Sequence, residues 1–474
     1  MIRRSAREGG SLQPESGRTS IFRCWRRSAA TFSPSAVHDV LARTGRREAR
    51  CRKLPAAAVV WLVIVMGLRS DLDLPAMWRQ VCGTLTTLLL TLLGKKPPCK
   101  AAIAQARRKL GCRPLRQLFR QTARPVATGR TRGAFYKGLR MLAMDGDDYK
   151  VVDTPANARA FGRPSTRRRE GKLPAGYPVI HTMRLIEVGT RICLEALVKP
   201  YGTNDHAGAA PLLKAASPQD LVLWDCGFYS YRAMRQAGLE GKFFLGPAPA
   251  HVVLRPIERL PDGSYLARVY PHPNDRRDGR DGLLVRVLEY TLDDPALTGN
   301  GERHRLVTNL MDPERYPASE LIVLYHQRWE IEIANDEMTT HLLDRSVELR
   351  SRTPAGVVQE YYGVVIAHNA VRMLMHEAAL TINVDPRTLS FINAVRVIRD
   401  VMPLMRDAPV WLLPQIYQGM LQQLAQRELP ERDGRINPRV VKVARPSKFP
   451  VKKPKHNPWP QPSRPFIESV RMLK

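Results

Sequence analysis

Three side chains in the stretch LYHQRWEIEIANDEMTTHL, residues 324–342, have the types and spacing for chemistry: Tyr325, Arg328 and Glu332. In an α-helix, at about 100° per residue, offsets of three and four bring them within roughly 60° of one another, so they share a face. A phenol, a guanidinium and a carboxylate make a poor core. As a site, the carboxylate can hold a metal ion while Arg and Tyr hold a phosphate. A solvated helix face with an internal ion pair has the same spacing, so this window alone does not choose between them. By the same geometry Glu330 and Glu337 point away from Glu332, Asp336 shares its face, and Trp329 turns off it toward the core.

Two aspartates upstream supply further acid. LRMLAMD, residues 139–145, reads as a buried strand ending at Asp145, and LVLWD as a second strand ending at Asp225. Between them, VIHTMRLIEV and RICLEALV flank Gly189-Thr190 as the arms of a β-hairpin, and DHAGAAPLLKAA reads as a helix. A helix, YSYRAMRQAG, and a strand, KFFLG, follow. The order strand, hairpin, helix, strand, helix, strand predicts a mixed α/β sheet. Two strand-end aspartates and a glutamate on a later helix can converge at one sheet edge. Three carboxylates so placed repel and need cations. Hard oxygen ligands select Mg2+ or Mn2+, and two such ions about 3.5–4 Å apart can activate a water or a 3′-hydroxyl and stabilise the leaving oxygen of a phosphodiester.

The elements that must position these residues sit in a strongly basic chain. Its 474 residues carry 75 Lys+Arg against 44 Asp+Glu, a net charge of +31, which points to a polyanionic partner, most simply nucleic acid. Seven scattered cysteines without a Cys-x2-Cys pair exclude a disulfide scaffold and disfavour a zinc site. The apolar run Leu54 to Leu68 is shorter than the roughly 20 residues that cross a bilayer and reads as a buried helix, with no membrane association. Ser33-Pro34 opens a helical region. Within it AAIAQARRKL ends at Gly111 and Pro114 restarts a helix, placing Arg107, Arg108 and Lys109 beside the turn. That arrangement suits DNA contact as in a helix-turn-helix, and equally an ordinary basic hairpin. Residues 247–309, with short strand signals, read as a β-rich insertion. Pro317-Ala318-Ser319 opens the helix of Tyr325, Arg328 and Glu332, and Thr353-Pro354 and Asp385-Pro386 open two more. Asp153 and Asn157 read as turn and cap residues. From Gly434 to Lys474 there are eleven Lys/Arg, eight Pro and one acid, Glu468, the pattern of an extended basic arm.

At this point the residues match a known family. The chain resembles bacterial DDE-class transposases of the insertion-sequence-four family, whose mark is Tyr-x2-Arg-x3-Glu-x6-Lys. Tyr325, Arg328 and Glu332 fill its first three places, MLAMDGDDYKVVDTPANARAFG resembles its first-aspartate region, and WDCGFYSY its second. The resemblance covers about residues 34–455. It implies an RNase H-like catalytic core, with Asp145, Asp225 and Glu332 as catalytic metal ligands for Mg2+ or Mn2+, and two ions. It implies that Tyr325 and Arg328 grip phosphates at the element's end. The reaction would be nicking that frees a 3′-hydroxyl, then strand transfer into target DNA, by a homodimer in a synaptic complex at the nucleoid of a bacterial cytoplasm. The organisation expected is a disordered basic N-terminus over 1–33, a helical DNA-binding domain over 34–135, and an α/β core over 136–246 and 313–350. A β-rich insertion would occupy 247–312, C-terminal helices 351–433 and a basic Pro-rich tail 434–474. Three positions depart from the family pattern: Thr339 replaces its lysine, Cys226 the Arg after the second aspartate, and Asp147 a Thr. These departures raise a second reading, a DNA-binding remnant with impaired catalysis, and an RNase H-fold nuclease with the same triad but no paired-end synapsis is a third.

Overall fold

The computed structural model describes residues 33–48, 54–84, 98–164, 176–295, 297, 300–343, 348–429 and 464–473. The expected basic N-terminus, residues 1–32, and most of the expected tail, up to residue 463, lie outside them. Helix α1 (Pro34–Arg43) starts where Ser33 Oγ accepts the Ala36 amide at 3.2 Å. Helix α2 (Ala56–Leu68) is the apolar run. It is buried on every side from Ala58 to Gly67, as a helix without a polar face must be. No helix of the described residues is long and apolar enough to cross a membrane. Helices α3 (Leu74–Thr84), α4 (Lys100–Leu110) and α5 (Arg113–Thr122) follow, and Gly111 between the last two takes φ +69, a left-handed stop that its missing side chain permits.

The sheet comes next: β1 (Phe135–Tyr136), β2 (Leu139–Lys150), helix α6 (Pro155–Phe161), the hairpin β3 (Val179–Glu187) and β4 (Ile192–Pro200), α7 (His206–Leu213), β5 (Asp220–Trp224), α8 (Tyr231–Leu239) and β6 (Phe243–Pro247). Its strand order β4-β3-β2-β5-β6 has three antiparallel strands followed by two parallel steps. The insertion, β7 (Glu258–Arg259), β8 (Tyr265–Val269), α9 (Pro273–Asp278), β9 (Leu283–Leu292) and β10 (His304–Thr308), is β-rich as its composition predicts. It does not stand apart: β10 pairs antiparallel with β6, so the insertion extends the core sheet. A mixed α/β chain around one large sheet results.

Helix α10 (Ala318–Tyr325) leads into the site, a 3-10 turn (His326–Arg328) passes to α11 (Trp329–Asp336), and a π-helical stretch (Glu337–Leu343) ends the segment. Helix α12 (Pro354–Ile382) is capped by Thr353 and buried over most of its length. It packs on α2 at two glycines so closely that a Cβ on Gly363 would lie 2.5 Å from Val63 O and one on Gly67 2.8 Å from Gly363 O. Asp385-Pro386 does not open a helix. Asp385 instead accepts the Arg387 amide in a turn, and α13 (Phe391–Asp407) starts later, under Ser390; α14 (Leu413–Ala425) packs beside it.

The end of the tail also departs from expectation. Residues 464–473 form a short helix α15 (Phe466–Ser469) and strand β11 (Val470–Met472), paired with β9 from Val470↔Leu292 to Met472↔Tyr290. The charge pattern hid it, because only three residues pair and their partner lies far upstream. Phe466 rests edge-on against His326, ring centres 3.8 Å apart, so the tail touches the turn that carries Arg328. Truncation after Ser463 is expected to expose the Asp293 amide, which donates to Ser469 O at 2.8 Å, and to accelerate its hydrogen exchange. Unchanged protection there would show that β11 does not hold this edge.

Candidate active site at the carboxyl edge of the sheet

Strand β2 does not end at Asp145. It runs on to Lys150 because its pairing with β3 continues, Asp145↔Arg184 through Lys150↔Val179. Its parallel pairing with β5 stops at Met144↔Trp224, so Asp145 and Asp225 are the next residues of two neighbouring strands, where β5 ends. The sheet edge expected from sequence is therefore present, on one strand as an end and on the other as a lost neighbour.

The helical segment lies over that edge. Tyr325 Oη donates to Trp224 O at 3.3 Å, fastening the end of α10 to the last residue of β5. In the 3-10 turn, residues three apart eclipse, which keeps Arg328 beside Tyr325 although the segment is not one regular α-helix. Arg328, 9% exposed, donates through Nη2 to Glu332 Oε1 at 3.0 Å, places Nη1 4.0 Å from Asp145 Oδ2, and lies 6.0 Å from the centre of the Tyr325 ring. Its Nε has no hydrogen-bond partner among the described residues. Tyr325, Arg328, Glu332, Asp145 and Asp225 are thus brought together.

The electrostatics show how tight the gathering is. Burial pushes the Asp145 carboxyl up to about 7; Arg328 opposes the rise, and the charges on Glu332 and Asp225 add to it. Arg328 is in turn held above its ordinary value against its own burial by Tyr325, Asp225, Asp145 and Glu332. Three hard-oxygen donors that repel one another suit a divalent cation in chemistry. In geometry they are not yet closed: among the described residues no three His, Cys, Asp or Glu side chains stand close enough to hold one ion, and Arg328 supplies the positive charge between them. A cation would therefore compete with Arg328 for Glu332.

The remaining acids of the segment face elsewhere. Glu330 accepts from Arg191 Nε at 2.6 Å, and Glu337, 3% exposed, accepts from Arg191 Nη1 at 2.9 Å, Arg372 Nε at 2.8 Å and His368 Nε2 at 2.9 Å. The π-helical stretch lets adjacent Glu337 and Met338 both point inward, and so shifts the phase of the residues after them. Thr339, in this stretch, donates its hydroxyl to Asn335 O at 3.0 Å. Asp336 is exposed and takes a hydrogen bond from Thr340. Trp329 is not core: it is 48% exposed, on the solvent side of α11. Asp147 is paired at 3.2 Å with the fully buried Arg184, which offsets its added negative charge. Cys226 stands exposed in the turn after Asp225. Asn157 is the first-turn residue whose amide Thr154 caps, and its side chain donates to Val152 O and Ser351 O.

The basic hairpin divides. Arg107 is not available to DNA: it donates to Gln359 Oε1 at 3.2 Å, Ser351 Oγ at 2.9 Å and Gly356 O at 3.0 Å, clamping α4 to the start of α12. Arg108 and Lys109 remain exposed. A second basic face lies on the next helix. On α5, Arg113, Arg116 and Arg120 lie at offsets of three and four on the exposed side, opposite buried Leu115, Leu118 and Phe119, and Arg124 follows. Arg120 is shared with Glu195 at 3.2 Å. The sequence signal was the absence of any Asp or Glu between Asp73 and Asp145.

Family models and known proteins match this chain over most of its length. The insertion element 4 transposase N-terminal model matches residues 27–120, and the transposase DDE domain model matches residues 136–370. The chain is 28% identical over 424 residues to the transposase InsG for insertion sequence element IS4 of Escherichia coli (strain K12), covering 89% of this chain and 92% of that protein. It is 25% identical over 224 residues to the putative transposase InsZ of the same organism, covering 47% of this chain and 71% of that protein. A solved piggyBac transposase synaptic complex with hairpin DNA aligns at a TM-score of 0.43 and 13% identity, covering 87% of each chain.

Proposed function

The chain belongs to the DDE transposases of the insertion element 4 type, insertion-sequence enzymes whose general reaction is metal-dependent DNA cleavage, and on that footing we propose that Asp145, Asp225 and Glu332 are its catalytic carboxylates. The observation that carries this reading is the parallel register that sets Asp145 beside Asp225 under the Arg328–Glu332 pair. The strand order β4-β3-β2-β5-β6 supports an RNase H-like core with β7–β10 as an extension of its edge. Nicking of an element-end duplex in Mg2+ or Mn2+ tests the assignment.

In the proposed mechanism Asp145, Asp225 and Glu332 would hold two Mg2+ or Mn2+ ions. Such ions lower the pKa of bound water and neutralise charge on the attacking and leaving oxygens. Tyr325 keeps α10 fastened to the end of β5, so that Glu332 cannot drift from the two aspartates. Arg328, with an unsatisfied Nε, is placed to turn from Glu332 to a phosphate oxygen at the element's end. The substrate is double-stranded DNA, both element end and target, and the working form is a homodimer holding paired ends at the bacterial nucleoid. Thr339 offers no cation where the family has a lysine, and this keeps the impaired-remnant reading as the alternative; Asp147 does not favour it, because Arg184 offsets its charge.

DNA contact by the helical domain falls on the exposed face of α5. The triple variant Arg113→Ala, Arg116→Ala, Arg124→Ala is expected to weaken duplex binding and reduce the slope of log K against log salt by about 2–3, since each lost phosphate contact releases roughly 0.9 fewer counterions. Arg107→Ala should lower stability and leave that slope alone. A triple variant with the parent's slope would remove α5 from the interface.

A further inference from the structure

The face of the sheet away from Glu332 carries a second polar group. His181 on β3 sits between two carboxylates, with Nδ1 2.7 Å from Asp148 Oδ1 and Nε2 2.8 Å from Asp205 Oδ1. Two acceptors on two ring nitrogens require both to carry protons, so the ring is an imidazolium, and its pKa is raised to about 9 by those hydrogen bonds to Asp148 and Asp205. Asp205 lies just before α7, and its carboxylate occupies the space of two absent side chains. A Cβ on Gly146 would overlap Asp205 Oδ1 and come 3.0 Å from His181 Cε1, while a Cβ on Gly227 would lie 2.9 Å from Asp205 Oδ2. Gly146 follows Asp145 directly, and Gly227 is two residues after Asp225.

One carboxylate therefore touches the backbone beside both Asp145 and Asp225, at the place where β2 and β5 stop pairing and no ladder hydrogen bond between them sets their separation. We propose that Asp205, held by His181, which Asp148 holds in turn, is a positioning residue that fixes the spacing of Asp145 and Asp225 from behind the sheet through contacts at Gly146 and Gly227. This inference rests on the assignment of those aspartates as metal ligands. Asp205 itself touches neither DNA nor the reacting atoms; it acts through backbone. A brace of this kind governs how well two carboxylates converge on a cation, and changes in such outer partners weaken metal binding by about 10–100-fold.

The test is Mn2+ binding by the full-length chain without DNA, followed through the electron paramagnetic resonance of free Mn2+, with melting temperature and duplex binding measured alongside. Asp205→Ala is expected to weaken Mn2+ binding about tenfold or more while duplex binding stays as in the parent. Asp205→Asn, which keeps the shape and an acceptor for His181, is expected to recover most of the loss. If Asp205→Ala does not fold, His181→Asn decides by the same readout. Parent-like Mn2+ affinity in Asp205→Ala, or a loss that tracks falling melting temperature and duplex binding together, overturns the brace. Parent Mn2+ binding that Glu332→Gln and Asp225→Asn leave unchanged overturns the ligand assignment, and the brace with it.

Discussion

Asp145→Asn is expected to abolish DNA cleavage and at the same time to stabilise the metal-free protein above neutral pH. Both effects come from one electrostatic fact. Asp145 is buried beside Glu332 and Asp225, and its carboxyl is raised from 3.8 to about 7. A folded-state pKa above the unfolded one means that ionising the group costs folding free energy. That cost is absent below about pH 4, grows as pH rises to about 7, and is complete above it. Asparagine removes the charge. In chelator at pH 8 the variant should melt a few degrees above the parent, given roughly 2–4 °C per kcal/mol for domains of 150–250 residues. At pH 5 the gap should narrow, and below about pH 4, where Asp145 is protonated in the folded and the unfolded chain alike, it should close. On the proposed assignment the same substitution also removes an anionic metal ligand, worth several kcal/mol of transition-state stabilisation, so nicking should fall on the order of 1000-fold or more. Duplex binding, which we assign to the exposed arginines of α5, should persist. An equal melting shift across that pH range would show that Asp145 is not a strained acid.

The second large effect lies beneath the site. Glu337→Gln is expected to cost about 3–5 kcal/mol of stability, because it removes the buried carboxylate that Arg191, Arg372 and His368 share, although Arg191 keeps Glu330. His368 cannot compensate as a cation: burial, with Arg184 and Arg191 nearby, holds it down to about 3, so it meets Glu337 as a neutral donor. Glu337 also anchors the π-helical stretch that follows α11, so the loss should spread to the position of Glu332 and reduce cleavage at temperatures where the variant is still folded. Denaturant unfolding measures the first effect. A change below about 1 kcal/mol would mean that water or rearrangement satisfies the arginines.

Much of the site was legible because its information is local. Offsets of three and four put Tyr325, Arg328 and Glu332 together, and the same angles sent Glu330 and Glu337 to the opposite side, where both meet Arg191. Both aspartates were visible as polar residues closing apolar strand runs. What could not be read depends on distant partners. The continuation of β2 past Asp145 needs β3 as a neighbour. The burial of Arg107 needs Gln359, 252 residues away. The exposure of Trp329, the π-helical stretch and the C-terminal strand on β9 are also settled by tertiary packing, which overrides local pattern. Asp205 and His181 carry no periodic signal, and their contact with Gly146 and Gly227 emerges only when four segments meet.

Whether Asp145, Asp225 and Glu332 form one metal-dependent DNA-cleaving centre is tested most directly on the full-length chain. It is incubated with a duplex carrying the element's terminal repeat, in chelator, in Mg2+ and in Mn2+, beside Glu332→Gln. A strand nick that requires the cation, leaves a 3′-hydroxyl at the element end and disappears in Glu332→Gln is the result expected. Duplex binding without any nick in either metal, or a nick that Glu332→Gln retains, would contradict it.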